Sequence, residues 1–291
     1  MRILQIHNEY KYRGGEYSVL KNEFNLLNRD GNIVEQFFFS NKSINSLKDK
    51  LKIGLGVFYN FKSAKLLKQK ILTFKPDIIH VHNFFSVASP AIFYVARGLN
   101  VPLVMTLHNY RLICPGSLLL RNGKICELCT QKKFALNAIR YGCYRKSRLQ
   151  TFILSLMNFL HNKFGTWKNK IDKYILLTDF AKTLVQDSAL NLDTNTLVVK
   201  PNFVEDYGFS LEKDNYFIFV GRLSQEKGIN LLLNTFIENR KLLYIIGEGP
   251  EINTVIKIAK KYNNINYLGF KDKDYIINKL KKAKALIFTS L

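Results

Sequence analysis

The sequence predicts an α/β protein built from two doubly wound domains, each with a parallel sheet covered by helices on both faces. Short runs that are apolar on both faces alternate with segments of helical periodicity, and strands of this kind are typical of buried parallel sheets. Six such runs precede residue 203 and four follow it, with a polar segment without strong periodicity at 203–215 between them. We therefore predict domains at 1–202 and 203–291.

The elements follow from these patterns in chain order. The predicted strands cover 2–7, 33–39, 77–83, 102–109, 173–178, 196–202, 216–223, 242–249, 265–270 and 285–291. Helical spacing is clearest over 16–27, 57–72, 231–238 and 251–262. Because ligands of doubly wound sheets bind outside the carboxyl ends of the strands, functional residues are expected in the loops that follow them.

The loop after the first strand contains Gly14 and Gly15, just before a helix that begins near Glu16. Glycines there allow a tight turn and close backbone approach, and the free amides of a helix N-terminus suit a phosphate or sugar oxygen. A plain turn before a helix explains the pair equally well. The dinucleotide pattern G-x-G-x-x-G is absent from this loop.

Histidines follow two neighbouring predicted strands. Period-two alternation places His80 and His82 on one face of their strand, with Asn83 next, and His108 and Asn109 end the following strand. A zinc pair at His80 and His82 is one interpretation, although the spacing defines no third ligand. We expect His108 to hydrogen-bond a substrate hydroxyl or to move a proton, the alternative being a cleft histidine with only structural bonds.

All four cysteines, Cys114, Cys126, Cys129 and Cys143, lie within a single excursion at 110–147. Their C-x11-C-x2-C-x13-C pattern in a chain expected to be cytoplasmic favours a structural zinc site, and "RNGK" before the C-x-x-C predicts a hairpin turn. Reduced buried cysteines and a redox pair remain open alternatives.

The segment after this excursion has the periodicity of an amphipathic helix. Its apolar positions are Leu149, Phe152, Ile153, Leu156, Met157, Leu160 and Phe164. We expect this stripe to pack on the sheet and the basic residues before it to contact an anionic membrane, the alternative being direct insertion of the helix into lipid.

In the second domain, "VGRLSQEKG" at 220–228 follows a predicted buried strand. Burial of Arg222 and Lys227 would be costly unless an anion neutralised them. The next strand ends in Gly247 and Gly249. A cationic and a glycine-rich loop at adjacent strand ends predict a diphosphate site.

The net charge of +22 favours polyanionic partners such as nucleic acid, anionic lipid or phosphorylated substrates, although a general enrichment in lysine explains the bulk excess equally well. The segment 124–170 goes further, with ten basic residues and the single acid Glu127. No RNA-binding strand, recognition helix or tandem finger pattern is present, so we expect no nucleic-acid partner.

These residues together resemble glycosyltransferase family 4. The resemblance rests on "GGE", "PDIIHVHN", "TLHNYRLICP", "GRLSQEKG" and "IIGEGP" and extends along nearly the whole chain. It implies the GT-B fold, with two Rossmann-like domains facing each other across a cleft, and retaining transfer of a hexosyl-type sugar from a nucleotide-diphosphate donor. The cysteine excursion and "VVKPNFV" are similar to a branch that acts in bacterial surface-polysaccharide assembly, with a saccharide or polyprenyl-diphosphate-linked acceptor.

The resemblance also implies roles for individual residues. Arg222 and Lys227 would hold the donor diphosphate and neutralise the leaving group, Gly15 would let the first loop approach donor or acceptor, and His108 would contact the transferred sugar. Retention in the family is assigned to front-face attack, in which a donor phosphate oxygen takes the acceptor proton. No protein nucleophile and no catalytic metal are then required.

One departure from the family pattern concerns the second domain. The family carries an E-x7-E motif after a strand like 285–291, whereas this sequence stops at Leu291. We expect an incomplete second domain, a fragment, and weak or no transfer by these residues alone. A nucleotide- or sugar-binding remnant is the alternative function, and a basic nucleic-acid-binding protein is a more distant one. Without a secretory leader or a long apolar segment, we expect a cytoplasmic protein, peripheral on the inner face of the membrane.

Overall fold

The computed structural model describes residues 1–9, 15–40 and 56–290. Two compact units are present, the first comprising Met1–Leu119 and Cys126–Val204, the second Leu120–Ile125 and Glu205–Leu291. The segment predicted as a linker, 203–215, contains neither helix nor strand. Gly14 lies outside the described residues.

Strands and helices alternate through both units. The strands are β1 Arg2–Glu9, β2 Ile33–Ser40, β3 Ile78–Asn83, β4 Leu103–Leu107, β5 Leu120–Arg121, β6 Lys124–Ile125, β7 Lys173–Leu176, β8 Leu197–Val199, β9 Phe217–Val220, β10 Leu243–Ile246, β11 Ile265–Gly269 and β12 Ala285–Leu286. The helices are α1 Gly15–Arg29, α2 Phe61–Phe74, α3 Ala91–Gly98, α4 Leu136–Tyr141, α5 Arg148–Lys163, α6 Thr166–Asn169, α7 Asp179–Gln186, α8 Ile229–Asn239, α9 Ile252–Lys261 and α10 Lys273–Lys282.

The first unit is a six-stranded sheet in the order β2-β1-β3-β4-β7-β8, with every pairing parallel. Leu4, Ile6 and Val81 of its central strands lie on one face of the sheet and join a core with side chains of the covering helices. Parallel pairing brings the carboxyl ends of β1, β3 and β4 to one edge of the sheet, which is the edge that carries the predicted histidines.

The second unit is a four-stranded parallel sheet in the order β11-β10-β9-β12. Helices cover both faces, because one core lies around Leu232 and Val255 and a second around Tyr216 and Ile218. The predicted α/β fold class is therefore confirmed for both sheets.

The last predicted strand is shorter than expected. The pattern predicts a buried strand over 285–291, but β12 pairs only at Ala285 and Leu286, and both residues are exposed. The physical reason is its edge position, since among residues 205–290 β12 pairs with β9 alone. The side chain of Phe288 is likewise exposed.

Two helices also differ from expectation. Helix α2 begins at Phe61 rather than 57, because the Asn60 side chain accepts a hydrogen bond from the Ser63 amide and caps the helix there. In α5 the predicted apolar stripe is buried only in part: Met157 and Ile153 pack in the core, whereas Leu149, Phe152 and Phe164 are exposed.

The buried face of α5 is more polar than its hydrophobic periodicity suggests. Its buried residues are Thr151, Leu154, Ser155, Met157 and His161. The polar members are tolerated because each is hydrogen-bonded, Thr151 to the Ser147 carbonyl and Ser155 to the Thr151 carbonyl, for example.

The hairpin predicted at "RNGK" is present. Strands β5 and β6 pair antiparallel, with Leu120 opposite Ile125. Asn122 and Gly123 between them both have positive φ, as a two-residue type I′ turn requires.

Candidate functional site

Three of the five histidines of the chain, His80, His82 and His108, lie around one carboxylate in the first unit, and His7 lies near His82. His7 belongs to β1, His80 and His82 to β3, and His108 follows β4. The carboxylate is that of Glu23, on the buried face of α1. The cluster therefore forms where the carboxyl ends of three adjacent strands meet the helix after β1.

Direct contacts link the members of the cluster. Glu23 Oε2 lies 3.2 Å from His82 Nε2 and 3.5 Å from His80 Nδ1, and Glu23 Oε1 lies 2.9 Å from Lys200 Nζ. His82 Nδ1 is 3.0 Å from His108 Nε2. Glu23 thus connects to His108 through the ring of His82.

Burial governs the ionisation of these groups. Burial, followed by the neighbouring His82, lowers the pKa of His80 to about 3 and that of His108 to about 3, and it lowers the pKa of His7 to about 4. For Glu23, burial acts to raise the pKa, but the contacts with His82, His80 and Lys200 outweigh it and lower the pKa to about 2. At neutral pH the site therefore contains an ionised Glu23 carboxylate and neutral imidazoles at His7, His80 and His108.

The predicted pairing of His80 and His82 on one strand face is confirmed, since their ring centroids are 4.1 Å apart. His108 lies beside the same pair, as expected for neighbouring strands. Sequence reasoning missed Glu23 and His7. Glu23 is separated from His80 by 56 residues, and its position on the inner face of α1 was the one available signal.

Polar residues near the first loop form a second small network. Asn109 Nδ2 donates to Glu16 Oε1 at 3.2 Å, and burial raises the pKa of Glu16. The Arg111 guanidinium stacks over Phe85, 4.8 Å from the ring centroid. Gly15 opens α1 with free space where a Cβ would stand, so space around it does not require glycine.

In the second unit, Arg222 and Lys227 lie in the loop after β9. Arg222 is exposed and Lys227 is partly exposed, so neither cation bears the full desolvation cost of burial. Within residues 205–290, neither side chain has an acidic partner within salt-bridge distance.

The glycines after β10 are required by backbone packing. An added Cβ at Gly247 would overlap the Gly221 carbonyl, and one at Gly249 would overlap the Leu223 carbonyl. The Gly247 amide donates to the Gly269 carbonyl at 3.0 Å. Packing alone thus explains glycine at both positions, and the Gly247 amide already has a protein acceptor.

The four cysteines are partly buried and reduced. Burial raises the pKa of the Cys129 thiol, and the thiols of Cys114, Cys143 and Cys126 add to this effect at short range. Among the described residues, Glu23, His80 and His82 form the group whose metal-ligating atoms lie within 4.8 Å of one another, and the four thiols do not meet that spacing.

Within residues 1–9, 15–40 and 56–290, no helix is long and apolar enough to span a membrane.

Comparison with solved structures defines the class of protein. HepE from Anabaena, solved with UDP-glucose, matches all of this chain and 74% of its own at a TM-score of 0.55 and 15% identity. A TarM variant from S. aureus, solved with UDP, Fondaparinux and α-GlcNAc-glycerol, matches 99% of this chain and 81% of its own at 0.59 and 12% identity. The fold is GT-B.

The family follows from the sequence models of known families. Residues 44–205 match the model "Glycosyltransferase Family 4", and residues 205–291 match "Glycosyl transferases group 1". The first match covers more than half of the chain, and the chain belongs to glycosyltransferase family 4.

A curated relative is an uncharacterised 42.6 kDa protein in the cps region of Klebsiella pneumoniae, 24% identical over 227 residues. The match covers 76% of this chain and 54% of the relative, so the chain spans about half the length of that protein. The UDP-GlcNAc 2-epimerase of Neisseria meningitidis has a similar fold, with a TM-score of 0.50 and 10% identity over 98% of this chain and 76% of its own.

Proposed function

We propose that the protein transfers a sugar from a nucleotide-diphosphate sugar to a saccharide or lipid-linked saccharide acceptor with retention of the anomeric configuration. The observation that carries this proposal is the match of both halves of the chain to glycosyltransferase family models. The solvent-accessible cations after β9, exposed Arg222 and partly exposed Lys227, have no acidic partner among the described residues and support the assignment of the donor diphosphate to this loop.

The site residues have distinct roles in the proposed reaction. Arg222 and Lys227 bind the diphosphate and stabilise the negative charge that develops as the nucleoside diphosphate departs. His108, held at its Nε2 by His82, hydrogen-bonds the transferred sugar through its other ring nitrogen. A donor phosphate oxygen takes the acceptor proton on the front face, so the proposed reaction needs no protein nucleophile and no catalytic metal.

The glycines are assigned to the shape of the two loops. Gly14 and Gly15 let the first loop approach donor or acceptor, and Gly247 and Gly249 let the loop after β10 pack against the loop after β9.

The substrate classes are part of the same proposal. HepE was solved with UDP-glucose and TarM with UDP, and these complexes support a UDP-linked hexose as the first donor to test. The relative in a cps region supports a role in surface-polysaccharide synthesis. A polyprenyl-diphosphate-linked acceptor, reached from the inner face of the membrane, is consistent with the ten basic residues of 124–170.

A nucleotide- or sugar-binding protein without transferase activity is the second candidate. It is favoured by the similar fold of a UDP-GlcNAc 2-epimerase, because the architecture alone does not specify sugar transfer. We infer no nucleic-acid partner.

The test of the donor site compares UDP with uridine as ligands in calorimetry. Arg222→Ala and Lys227→Ala should each weaken UDP binding roughly tenfold or more, since a charge-assisted hydrogen bond contributes about 1.5–3 kcal/mol. Uridine binding should change little. Lys257→Ala, at an exposed lysine of α9, is the matched control. Equal losses for UDP and uridine would contradict the diphosphate assignment.

A transfer assay separates the two candidate functions. The purified chain is incubated with UDP- and GDP-sugars and saccharide acceptors, and the anomeric configuration of any product is read by NMR. A product with the donor configuration supports retaining transfer. UDP binding without product for any donor supports the binding protein, and an inverted product contradicts the proposed mechanism.

A further inference from the structure

We propose that Glu23, His80 and His82 form a binding site for a divalent transition-metal ion, with Zn²⁺ as the expected ion. The site lies in the first unit and uses one ligand atom from each residue, namely Glu23 Oε2, His80 Nδ1 and His82 Nε2. The proposal rests on the geometry of these three atoms and is independent of glycosyl transfer.

The spacing of the three ligand atoms matches that of a bound metal ion. Tetrahedral zinc with bonds of about 2.0–2.2 Å to nitrogen and oxygen separates neighbouring ligand atoms by roughly 3.4 Å. Glu23 Oε2 lies 3.2 Å from His82 Nε2 and 3.5 Å from His80 Nδ1. All three atoms lie within 4.8 Å of one another. The spacing therefore suits one ion placed between them.

The hydrogen bonding of the cluster also favours an ion. Glu23 Oε2 and His82 Nε2 are both fully buried, yet neither has an aligned hydrogen-bond partner within the described part of the chain. Leaving buried polar atoms unpaired is energetically costly. A single ion between these two atoms would compensate both.

Each of the three ligand side chains is also held by a contact at its other polar atom. His80 Nε2 is 2.8 Å from Thr106 Oγ1, His82 Nδ1 is 3.0 Å from His108 Nε2, and Glu23 Oε1 is held by Lys200. The polar atom of each ligand that faces away from the others is thus engaged. Metal-binding histidines characteristically use their second ring nitrogen in this way.

The ligand set selects the class of ion. Two imidazoles and one carboxylate suit Zn²⁺ and related transition ions, whereas Mg²⁺ and Ca²⁺ prefer oxygen ligands. His80 and His82 of the strand and Glu23 of the helix are all buried. They supply three ligands of a tetrahedral ion, so a water molecule or a neighbouring side chain would take the fourth coordination position. A bound ion would also fix the ring of His82 and through it the position of His108.

Lys200 provides the competing explanation. Its ammonium group already balances the charge of Glu23, and without metal the His82 Nε2–H would simply face the carboxylate. The Lys200 side chain is half exposed, so water screens its repulsion of an ion. The two explanations predict different results for Lys200→Met. If the cluster is a metal site, the variant should bind the ion as tightly as the wild type or more tightly. If it is not, neither protein should bind an ion at these residues.

The experiment uses the full chain, with any affinity tag removed, stripped with a chelator and titrated with Co²⁺. A site of nitrogen and oxygen ligands gives visible ligand-field bands without the near-ultraviolet charge-transfer band of a cysteine thiolate, which separates it from ion binding at the four cysteines. Wild type should bind one equivalent with this spectrum, and Zn²⁺ should displace it.

Variants test the assignment of the ligands. Thr106→Val, which removes the support behind His80, should weaken Co²⁺ binding roughly 10–100-fold, and Glu23→Gln and His80→Asn should weaken it further. Glu16→Gln changes another partly buried acid of α1 and should leave the affinity unchanged. Circular dichroism confirms that each variant is folded.

Two results would overturn the proposal. One is a folded wild type that shows no nitrogen–oxygen cobalt spectrum. The other is Glu23→Gln and His80→Asn proteins that bind Co²⁺ as tightly as wild type. Should both ligand variants fail to fold, X-ray absorption of the zinc-loaded wild type decides, because imidazole scattering supports the site and a purely sulfur shell contradicts it.

Discussion

Gly247 shows how a phosphate-loop pattern and a packing requirement give the same residue. The pattern "IIGEGP" predicts a glycine-rich loop for a diphosphate. In the structure Gly247 has φ of +139°, and its Cα faces the Gly221 carbonyl of the neighbouring loop. The glycine therefore brings the backbones of the two loops together, and this packing accounts for Gly247 without a bound diphosphate.

Gly247→Ala should destabilise the second unit strongly, because the added Cβ overlaps backbone and the residue has a conformation that L side chains rarely adopt. We expect a loss on the order of 3–5 kcal/mol in the free energy of unfolding, measured by urea denaturation. Gly269→Ala is the control, since Gly269 also has positive φ, +75°, but has free space at the Cβ position. It should cost about 1–2 kcal/mol. Equal losses for the two variants would mean that backbone overlap does not determine glycine at 247.

Single residues were predictable from sequence where they lie near the carboxyl end of a strand. His80 and His82 in β3 and His108 after β4 were found in this way, because parallel strands bring their carboxyl ends to one edge. Glu23 was not, since it lies in the middle of a helix whose rotation about its own axis depends on packing. Arg222 was assigned to the correct loop, but its exposure could not be predicted from the apolar run before it.

Helix α5 illustrates the same limit at the scale of an element. The hydrophobic period predicted a helix, and α5 has it. The buried face of α5, however, includes the polar residue His161. The His161 Nε2–H donates to the Phe58 carbonyl at 2.9 Å. Its Nδ1 then accepts from the Thr166 hydroxyl, also at 2.9 Å, and that hydroxyl accepts in turn from Tyr94. Such a chain of specific bonds leaves no periodic signal in the sequence.

The buried His161 of this hydrogen-bond network predicts a pH dependence of the free energy of unfolding. Burial lowers the pKa of His161, although the bond to the Phe58 carbonyl opposes the shift. In the unfolded chain the imidazole titrates near 6.5. Below that pH the unfolded state takes up a proton that the folded state does not, so this contribution to stability is present at higher pH and is lost as the pH falls toward the folded pKa.

His161→Gln tests this dependence, because glutamine can donate to Phe58 and accept from Thr166 without titrating. Urea unfolding between pH 7 and 5 should show a shallower loss of stability in the variant, by up to about 1.4 kcal/mol per pH unit. His161 contributes nothing to acid sensitivity if the two profiles are parallel.

The cysteine excursion carries the second element-scale prediction, a structural zinc held by Cys114, Cys126, Cys129 and Cys143. Titration of the purified chain with an organomercurial should release about one zinc per chain as the thiols react, because a closed structural site uses four ligands. The nitrogen–oxygen site proposed above has no thiol and should not respond. Four thiols that react at once with a thiol reagent, with no zinc released, would contradict the prediction.

Elements were the best-predicted level of this fold. All ten predicted strands of the two main sheets are present, because alternating runs of strand and helix leave few arrangements for a parallel sheet. The errors are at boundaries, where a local bond decides, as at Asn60, or where a strand has a single neighbour, as at β12.

At the scale of the whole molecule, the net charge of +22 does not by itself identify a binding surface. Arg145, Lys146 and Arg148 are exposed at the start of α5, next to the exposed apolar side chains of Leu149 and Phe152. Basic and apolar side chains on one stretch of surface suit the headgroup region of an anionic bilayer. The proposal of a peripheral membrane protein rests on this surface and not on the total charge.

Replacement of Arg145, Lys146 and Arg148 by Glu should therefore weaken binding to anionic phosphatidylglycerol vesicles by at least about tenfold, since each basic residue near such a surface contributes about 1 kcal/mol. Co-sedimentation at several salt concentrations measures it, and raised salt should reduce the difference. The matched control replaces Lys62, Lys65 and Lys68, exposed on α2, by Glu. The control changes the net charge equally, so equal losses in the two triple variants would show that total charge binds the membrane. A selective loss in the first assigns binding to the start of α5, and unchanged binding in both contradicts an electrostatic contact at this surface.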